Sequence, residues 1–234
     1  MKILAVADVE ERVLWDFYSE ERFGDIDLIL SAGDLKAEYL EFLVTMINRP
    51  LLYVQGNHDD AYARHAPGGC ICIDDSVYVH QGVRIAGLGG CMRYRHGDNM
   101  YTEHDMNRRL RRLSPQVNLL GGIDVLLTHA PAFGLGDMDD LPHTGFDCFN
   151  DALDRWRPAY MVHGHVHQGY RPLFERRLVA PGGTAVINAC GYTVIDIVED
   201  GSAPDWRTRF VNALCMRHAD AAHARTSADF DACW

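Results

Sequence analysis

The sequence predicts an α/β fold, and three observations predict it. Short apolar runs of strand length, almost without polar alternation, recur along the chain; such runs belong to strands covered on both faces. Stretches of helical character lie between several of them, and strand, helix, strand in series is the pattern of an α/β sheet. Five of the runs end at residues able to bind a metal, and in such sheets the ligand site lies beyond the carboxyl ends of the strands.

The first run, Ile3 to Ala7, ends at Asp8. A helix is expected over Val13 to Arg22. Leu28 to Ala32 then leads through Gly33 to Asp34, a second helix is expected over Ala37 to Ile47, and Leu51 to Val54 leads through Gly56 to Asn57 and His58. Val77 to Val79 and Val83 to Ala86 flank Gly82 as the arms of a hairpin. The segment from Gly89 to Leu113 reads as an insertion. It carries Arg93, Tyr94, Arg95 and His96 and then a helix, for which Thr102 and Asp105 suit the start and Met106, Leu110 and Leu113 form the apolar stripe. Arg93 or Arg95 is a candidate to hold a substrate phosphate bidentately, while Arg108, Arg109, Arg111 and Arg112 are expected on a solvated basic face.

Val125 to Thr128 ends at His129. A second insertion, Phe133 to Phe146, has the glycines of a mobile loop (Gly134, Gly136); Asp137 or His143 is a candidate to reach substrate, but a plain connecting loop is the expected role for either. A third helix is expected over Asp147 to Trp156, and Tyr160 to Val162 leads into His163-Gly164-His165-Val166-His167. Leu178 to Ala180, Ala185 to Ala189 and Thr193 to Val198 are short strands broken by Gly182-Gly183 and Gly191; with the hairpin they are expected to build a second, antiparallel sheet. After Ser202 the periodicity fades. Trp206 to Met216 is expected to pack as helix or strand and Ala219 to Trp234 to fray, giving a domain over residues 1–200 and an extension over 201–234.

Composition narrows the classes of function. The chain has 234 residues, 47% hydrophobic and 24% charged, the balance of a globular protein able to bury a large core. A net charge of −11 makes a long nucleic acid a poor partner, because non-specific binding rests on Lys and Arg contacts to phosphate. The seven cysteines are odd in number, and Cys70-Ile71-Cys72 has one residue between its thiols, too few for a zinc knuckle. Reduced thiols and a cytoplasmic location are expected. No stretch approaches the ~20 apolar residues of a membrane span, so no membrane partner is expected.

The strand ends bring together Asp8, Glu10, Asp34, Asn57, His129, His165 and His167. Three carboxylates, an amide oxygen and three imidazoles are too many ligands for one ion and suit two, which clamp a phosphoryl group and lower the pKa of a bridging water. Asp34 is the candidate bridge. Asp8 and Glu10 are two residues apart and face the same way in extended backbone, as do His165 and His167. Gly33, Gly56 and Gly164 each precede a candidate ligand. His58 is the candidate to protonate the leaving alkoxide or hold the phosphate, with Asp59 or Asp60 to orient its ring. His65, His80, His104, His218 and His223 are expected in structural or exposed roles.

Asp8-x-Glu10, Gly33-Asp34, Gly56-Asn57-His58-Asp59, His129 and Gly164-His165-Val166-His167, in this order, resemble the motifs of the calcineurin-like metallophosphoesterases, over Met1 to about Asp200. The resemblance implies a four-layer, two-sheet sandwich flanked by helices. It also implies one metal on Asp8, the residue at position 10, Asp34 and His167, a second on Asp34, Asn57, His129 and His165, and an acid or phosphate-contacting role for His58. Two positions depart from the family pattern: Glu10 stands where a histidine is usual, and Ala37 where the second motif often has aspartate. A third carboxylate makes the cluster less positive and its ligands harder, which favours manganese or iron, with zinc or magnesium as alternatives, and a monoanionic diester over a dianionic monoester. The expected function is hydrolysis of a small phosphoester, a diester in preference, by metal-hydroxide attack at a dinuclear site. A nuclease of the same chemistry and a non-catalytic scaffold that keeps the fold are the alternatives.

Overall fold

The computed structural model describes residues 1–170, 174–198 and 205–231. The domain boundary expected near residue 200, Cys233 and the side chain of His223 lie outside the described residues. Strands β1 (Lys2–Ala7), β2 (Leu28–Ser31), β3 (Leu51–Tyr53) and β4 (Ile71–Cys72) run parallel, side by side, in one sheet. Between them lie α1 (Glu20–Phe23) and α2 (Ala37–Ile47). Strands β5 (Ser76–His80) and β6 (Val83–Leu88) form the predicted hairpin, and β7 (Cys91–Met92) pairs with β8 (Met100–Tyr101) ahead of α3 (Glu103–Leu119). Then come β9 (Val125–Thr128), α4 (Asp147–Trp156), β10 (Tyr160–His163), β11 (Arg177–Val179), β12 (Ala185–Asn188), β13 (Gly191–Asp196) and α5 (Trp206–Asp231).

The second sheet has the order β11-β12-β10-β9-β6-β5. It is not the antiparallel sheet the sequence predicts. Only its two edge pairs are antiparallel; β12, β10, β9 and β6 run parallel. Two of the metal-type strands, β9 and β10, sit at its centre, while the strand expected over Thr193 to Val198 crosses at Gly191 (φ 75°) to pair antiparallel with β1 in the first sheet. The convergent residues thus come from two sheets whose parallel strands end at the same side of a sandwich.

The unbroken apolar runs are explained by burial on both faces. In β1, Ile3, Ala5 and Ala7 face the second sheet, among Ile85, Val125, Leu127 and Val162. The intervening Leu4 and Val6 face Leu40 and Leu43 of α2. On the far face of the second sheet, Leu126, Met161 and Val186 pack on Leu110 and Leu113 of α3 and Phe149 and Leu153 of α4. The result is four layers, helix, sheet, sheet, helix. Helix α3 starts as predicted: the Thr102 side chain accepts from the Asp105 N–H, and the Asp105 carboxylate accepts from the Thr102 N–H. All six described cysteines are buried and free. No helix among the described residues is long and apolar enough to cross a membrane.

Two helices depart from expectation. The helix expected over Val13 to Arg22 contracts to α1, because Ser19 is extended (φ −138°) and the preceding aromatics serve tertiary stacking: Trp15 lies 5.2 Å from Tyr39 and 5.3 Å from Phe42. Aromatic residues lose side-chain freedom in a helix, so packing on α2 overrides a weak preference. Beyond Trp206 the backbone is one helix, α5, which continues to Asp231 where fraying is expected from Ala219, and its Val211 and Cys215 are fully buried.

Arg109 is not on a solvated face; it is 7% exposed. Its guanidinium donates to Asp75 Oδ1 (2.8 Å), to the Gly89 carbonyl (2.6 Å) and to Asp74 Oδ1 (3.3 Å), and lies 4.2 Å from the Tyr101 ring centroid. Asp74 in turn accepts the Gln55 N–H at 2.9 Å and the Gly89 N–H, so the ion pair fastens the loop after β3 to the loop after β6. Arg109→Ala leaves Asp74 buried without its counter-charge and is expected to destabilise the chain by about 3–5 kcal/mol in urea denaturation. Arg111→Ala, on the exposed face, is expected within about 0.5 kcal/mol of the parent.

Candidate metal centre

Three of the candidate ligands, at strand ends, adopt the left-handed conformation without being glycine: Asp8 (φ 62°), Asp34 (φ 57°) and His165 (φ 69°). Such residues carry a backbone cost and persist where surrounding bonds fix them. Here the fixings are explicit. The Asp8 N–H donates to the Gly33 carbonyl (3.1 Å), and both Asp8 carboxylate oxygens lie 3.0 Å from the His165 N–H. The Asp34 N–H and the Gly56 N–H both donate to Asp59 Oδ2, at 2.9 and 2.7 Å, and the His58 N–H donates to Asp34 Oδ1 at 2.8 Å. Asp59 therefore orients backbone rather than the His58 ring. Glycine is required at position 56 because a Cβ there would stand 2.0 Å from Asp34 Oδ1.

Asp34, His129 and His165 present ligand atoms that all lie within 4.8 Å of one another. The ring of His129, fully buried, gives the strongest indication of what belongs between them. Its Nδ1 lies 2.7 Å from the Ala32 carbonyl, an acceptor, so that nitrogen carries the proton. Its Nε2 then faces Asn57 Oδ1 at 3.0 Å and Asp34 Oδ2 at 3.4 Å. A nitrogen lone pair and two oxygens converge on one point, an arrangement that a metal ion or a proton satisfies. In the ion-free chain the neighbouring carboxylates favour a proton there. Burial alone would lower the pKa of His129, but Asp34 and Asp8 raise it to about 9. Burial likewise opposes ionisation of Asp34, yet His129 holds its carboxyl well below the usual carboxylate range.

His165 is arranged in the opposite sense. Its Nε2 lies 2.7 Å from the Pro142 carbonyl, which leaves Nδ1 free to bind a metal. Burial, with His129 nearby, pushes its pKa down to about 3, so the ring is neutral, as a ligand must be. Burial also lifts Asp8 to about 7. The donor set fits a divalent ion.

The other expected ligands lie at the margin of this group. Glu10 is 3.3 Å from the Lys36 ammonium, and the half-buried His167 stacks on Tyr170 with ring centroids 4.9 Å apart. Glu10, Asp34 and the exposed His58 line one cavity of about 470 Å³. Arg93 is not part of that cavity's lining; its guanidinium donates to Asp105 (3.2 Å) and to the Met100 carbonyl (3.2 Å). In the second insertion, Asp137 accepts the N–H groups of Gly134 and Gly145, so it secures the loop. The ring of His143 lies 5.2 Å from that of His165 and bonds Asp140 at 2.7 Å. Sequence reasoning missed the Ala32 and Pro142 carbonyls, which carry no side-chain signal, and Lys36, whose position two residues past Asp34 was a signal available to find it.

Two outcomes follow from this geometry. Gly56→Ala pushes the Asp34 carboxylate aside and is expected to weaken divalent-ion binding at least tenfold, read by calorimetry, with the far-ultraviolet circular dichroism unchanged. Against the effect of burial, Asp34 and Asp8 raise the His129 pKa to about 9, so an ion entering the cluster is expected to displace a proton. Manganese affinity should therefore rise from pH 7 towards pH 9, with proton release visible as a dependence of the binding heat on the buffer.

Over residues 1–197 the chain matches the family model described as "Calcineurin-like phosphoesterase superfamily domain". A segment is 39% identical over 85 residues to the UPF0046 protein T07D4.2 of Caenorhabditis elegans, spanning 35% of this chain and 20% of that protein. One solved crystal structure, 17% identical, superposes with a TM-score of 0.62 over 83% of this chain and 94% of its own. The crystal structure of TT1561 of Thermus thermophilus, 16% identical, superposes with a TM-score of 0.57 over 83% of this chain and 93% of its own. At these identities the two superpositions establish the fold, while the match along most of the chain establishes the kinship: this protein belongs to the calcineurin-like phosphoesterase superfamily.

Proposed function

We propose that the chain is a metal-dependent hydrolase that cleaves a small phosphoester, with a diester as the favoured substrate, at a site for two divalent ions. The observation that carries this reading is the convergence of His129 Nε2, Asn57 Oδ1 and Asp34 Oδ2 on one point beside an open cavity. Asn57, His129 and His165 with Asp34 would hold one ion; Asp8, Glu10 and His167 with the same Asp34 would hold the other. When bound, such ions polarise the phosphoryl group and provide a nucleophile from water of lowered pKa. Manganese or iron suits the carboxylate-rich set.

The chain's own residues do the rest. Asp59 holds the Asp34 backbone N–H and the His58 N–H holds the Asp34 carboxylate, so the ligand geometry is set before substrate arrives. The Ala32 and Pro142 carbonyls fix which nitrogen each imidazole presents. The His58 ring is exposed and lines the cavity, where, protonated, it gives its proton to the departing alkoxide as the P–O bond breaks. The Glu10 charge disfavours a dianionic monoester relative to a diester.

The test is hydrolysis of bis-p-nitrophenyl phosphate and p-nitrophenyl phosphate by metal-stripped protein titrated with manganese. Turnover should appear with the metal and favour the diester. His58→Ala should lose about 10²- to 10⁴-fold on alkyl leaving groups, and less on p-nitrophenolate, which departs without a proton. Full metal loading without turnover on any ester would count against an enzyme and favour a scaffold.

A further inference from the structure

The cavity of about 470 Å³ beside His58 reaches past the metal centre to the start of α2, and its size is that of a small-molecule site. Asp34 and His58 both line it. Leu35 and Tyr62, both nearly buried, form apolar wall, with the Tyr62 hydroxyl tied to the Leu35 carbonyl. Lys36 supplies the one Lys or Arg side chain of the lining. Its ammonium faces Glu10 at 3.3 Å, with side chains 74% and 32% exposed. A pair so open to water contributes little, so exchanging Glu10 for another anion costs little.

We propose that this cavity receives the organic arm of the phosphoester and that Lys36 selects an arm carrying a second negative charge, such as a further phosphate or a carboxylate. The inference deepens the phosphoesterase reading and rests on it. As Glu10 turns to the metal centre, the Lys36 ammonium is released to the substrate. Lys36 is also the N-cap of α2 and its side chain makes no capping bond. The first N–H groups of that helix have no acceptor within it, and the potential there favours an anion. His65, also on the lining, is directed to Glu41 at 3.4 Å. Glu38 also lines the cavity and repels an anion, so the selection of a second negative charge rests on the Lys36 ammonium.

Calorimetric titration of the manganese-loaded chain with thymidine 5′-monophosphate and thymidine 3′,5′-bisphosphate tests this, since the two probes differ by one phosphate. The bisphosphate is expected to bind about tenfold more tightly. That preference should fall to within about twofold in Lys36→Ala and persist in Lys36→Arg. Equal affinities in the parent, a preference undiminished in Lys36→Ala, or no binding of either probe would each overturn the proposal. Hydrolysis of bis-p-nitrophenyl phosphate by the same preparation reports separately on the phosphoesterase reading. Turnover there with equal nucleotide affinities would refute the role of Lys36 alone.

Discussion

A buried imidazole nitrogen aimed at two oxygens is the interaction on which the carboxyl end of this sandwich depends. The Ala32 carbonyl commits the other nitrogen of His129 to donating, so the ring cannot escape the conflict by changing tautomer. Removing such a ring from water, with an aspartate beside it, is costly unless positive charge sits between them. The neighbouring features follow from that need. Asp34 stays ionised, His165 stays neutral, and both present lone pairs to the same volume. The inter-sheet layer beneath these groups packs apolar side chains, among them Ala7, Ala32, Leu127 and Val162.

The geometry that brings these groups together is a property of two sheets, not of one. His129 reaches from the second sheet to the Ala32 carbonyl of the first, and Asp8 at the end of β1 receives the N–H of His165 just after β10. The left-handed turns at Asp8, Asp34 and His165 bend each strand end towards the seam instead of letting it run on into solvent. Below the seam, the Arg109–Asp74 pair fixes the loop that carries Asn57. Backbone strain, buried charge and the seam between the layers therefore fall in one place, as is usual where a fold has been bent to a chemical task.

Much of this was legible in the sequence. The apolar runs that end at Asp8, Asp34, Asn57, His129 and His165 marked both the strands and the place where they meet. The capping residues Thr102 and Asp105 marked the start of α3, because their signals are local. What was not legible was set by partners distant in the chain. The parallel pairing of β6 with β9, and the crossing of β13 to β1, depend on which edges lie free after the rest has packed. Arg109 looked like one of a run of surface arginines because its acid partners, Asp74 and Asp75, are supplied by another segment. The short α1 in place of a longer helix reflects aromatic stacking on α2, which no periodicity along Val13 to Arg22 encodes.

Helix α5 carries a consequence of another kind. Its Asn212 side chain accepts the Val79 N–H at 2.8 Å and donates to the Val79 carbonyl at 2.9 Å, the two bonds a neighbouring strand would make. Cys215, one turn on, packs against the Cys72 carbonyl on β4. One helix thus closes the outer strand of both sheets at the side where β4 and β5 end them. Open strand edges are templates for pairing with other chains. The matched family segment stops at residue 197, short of this helix, so that segment alone would present two unsealed borders. In the full chain those two borders are covered by α5.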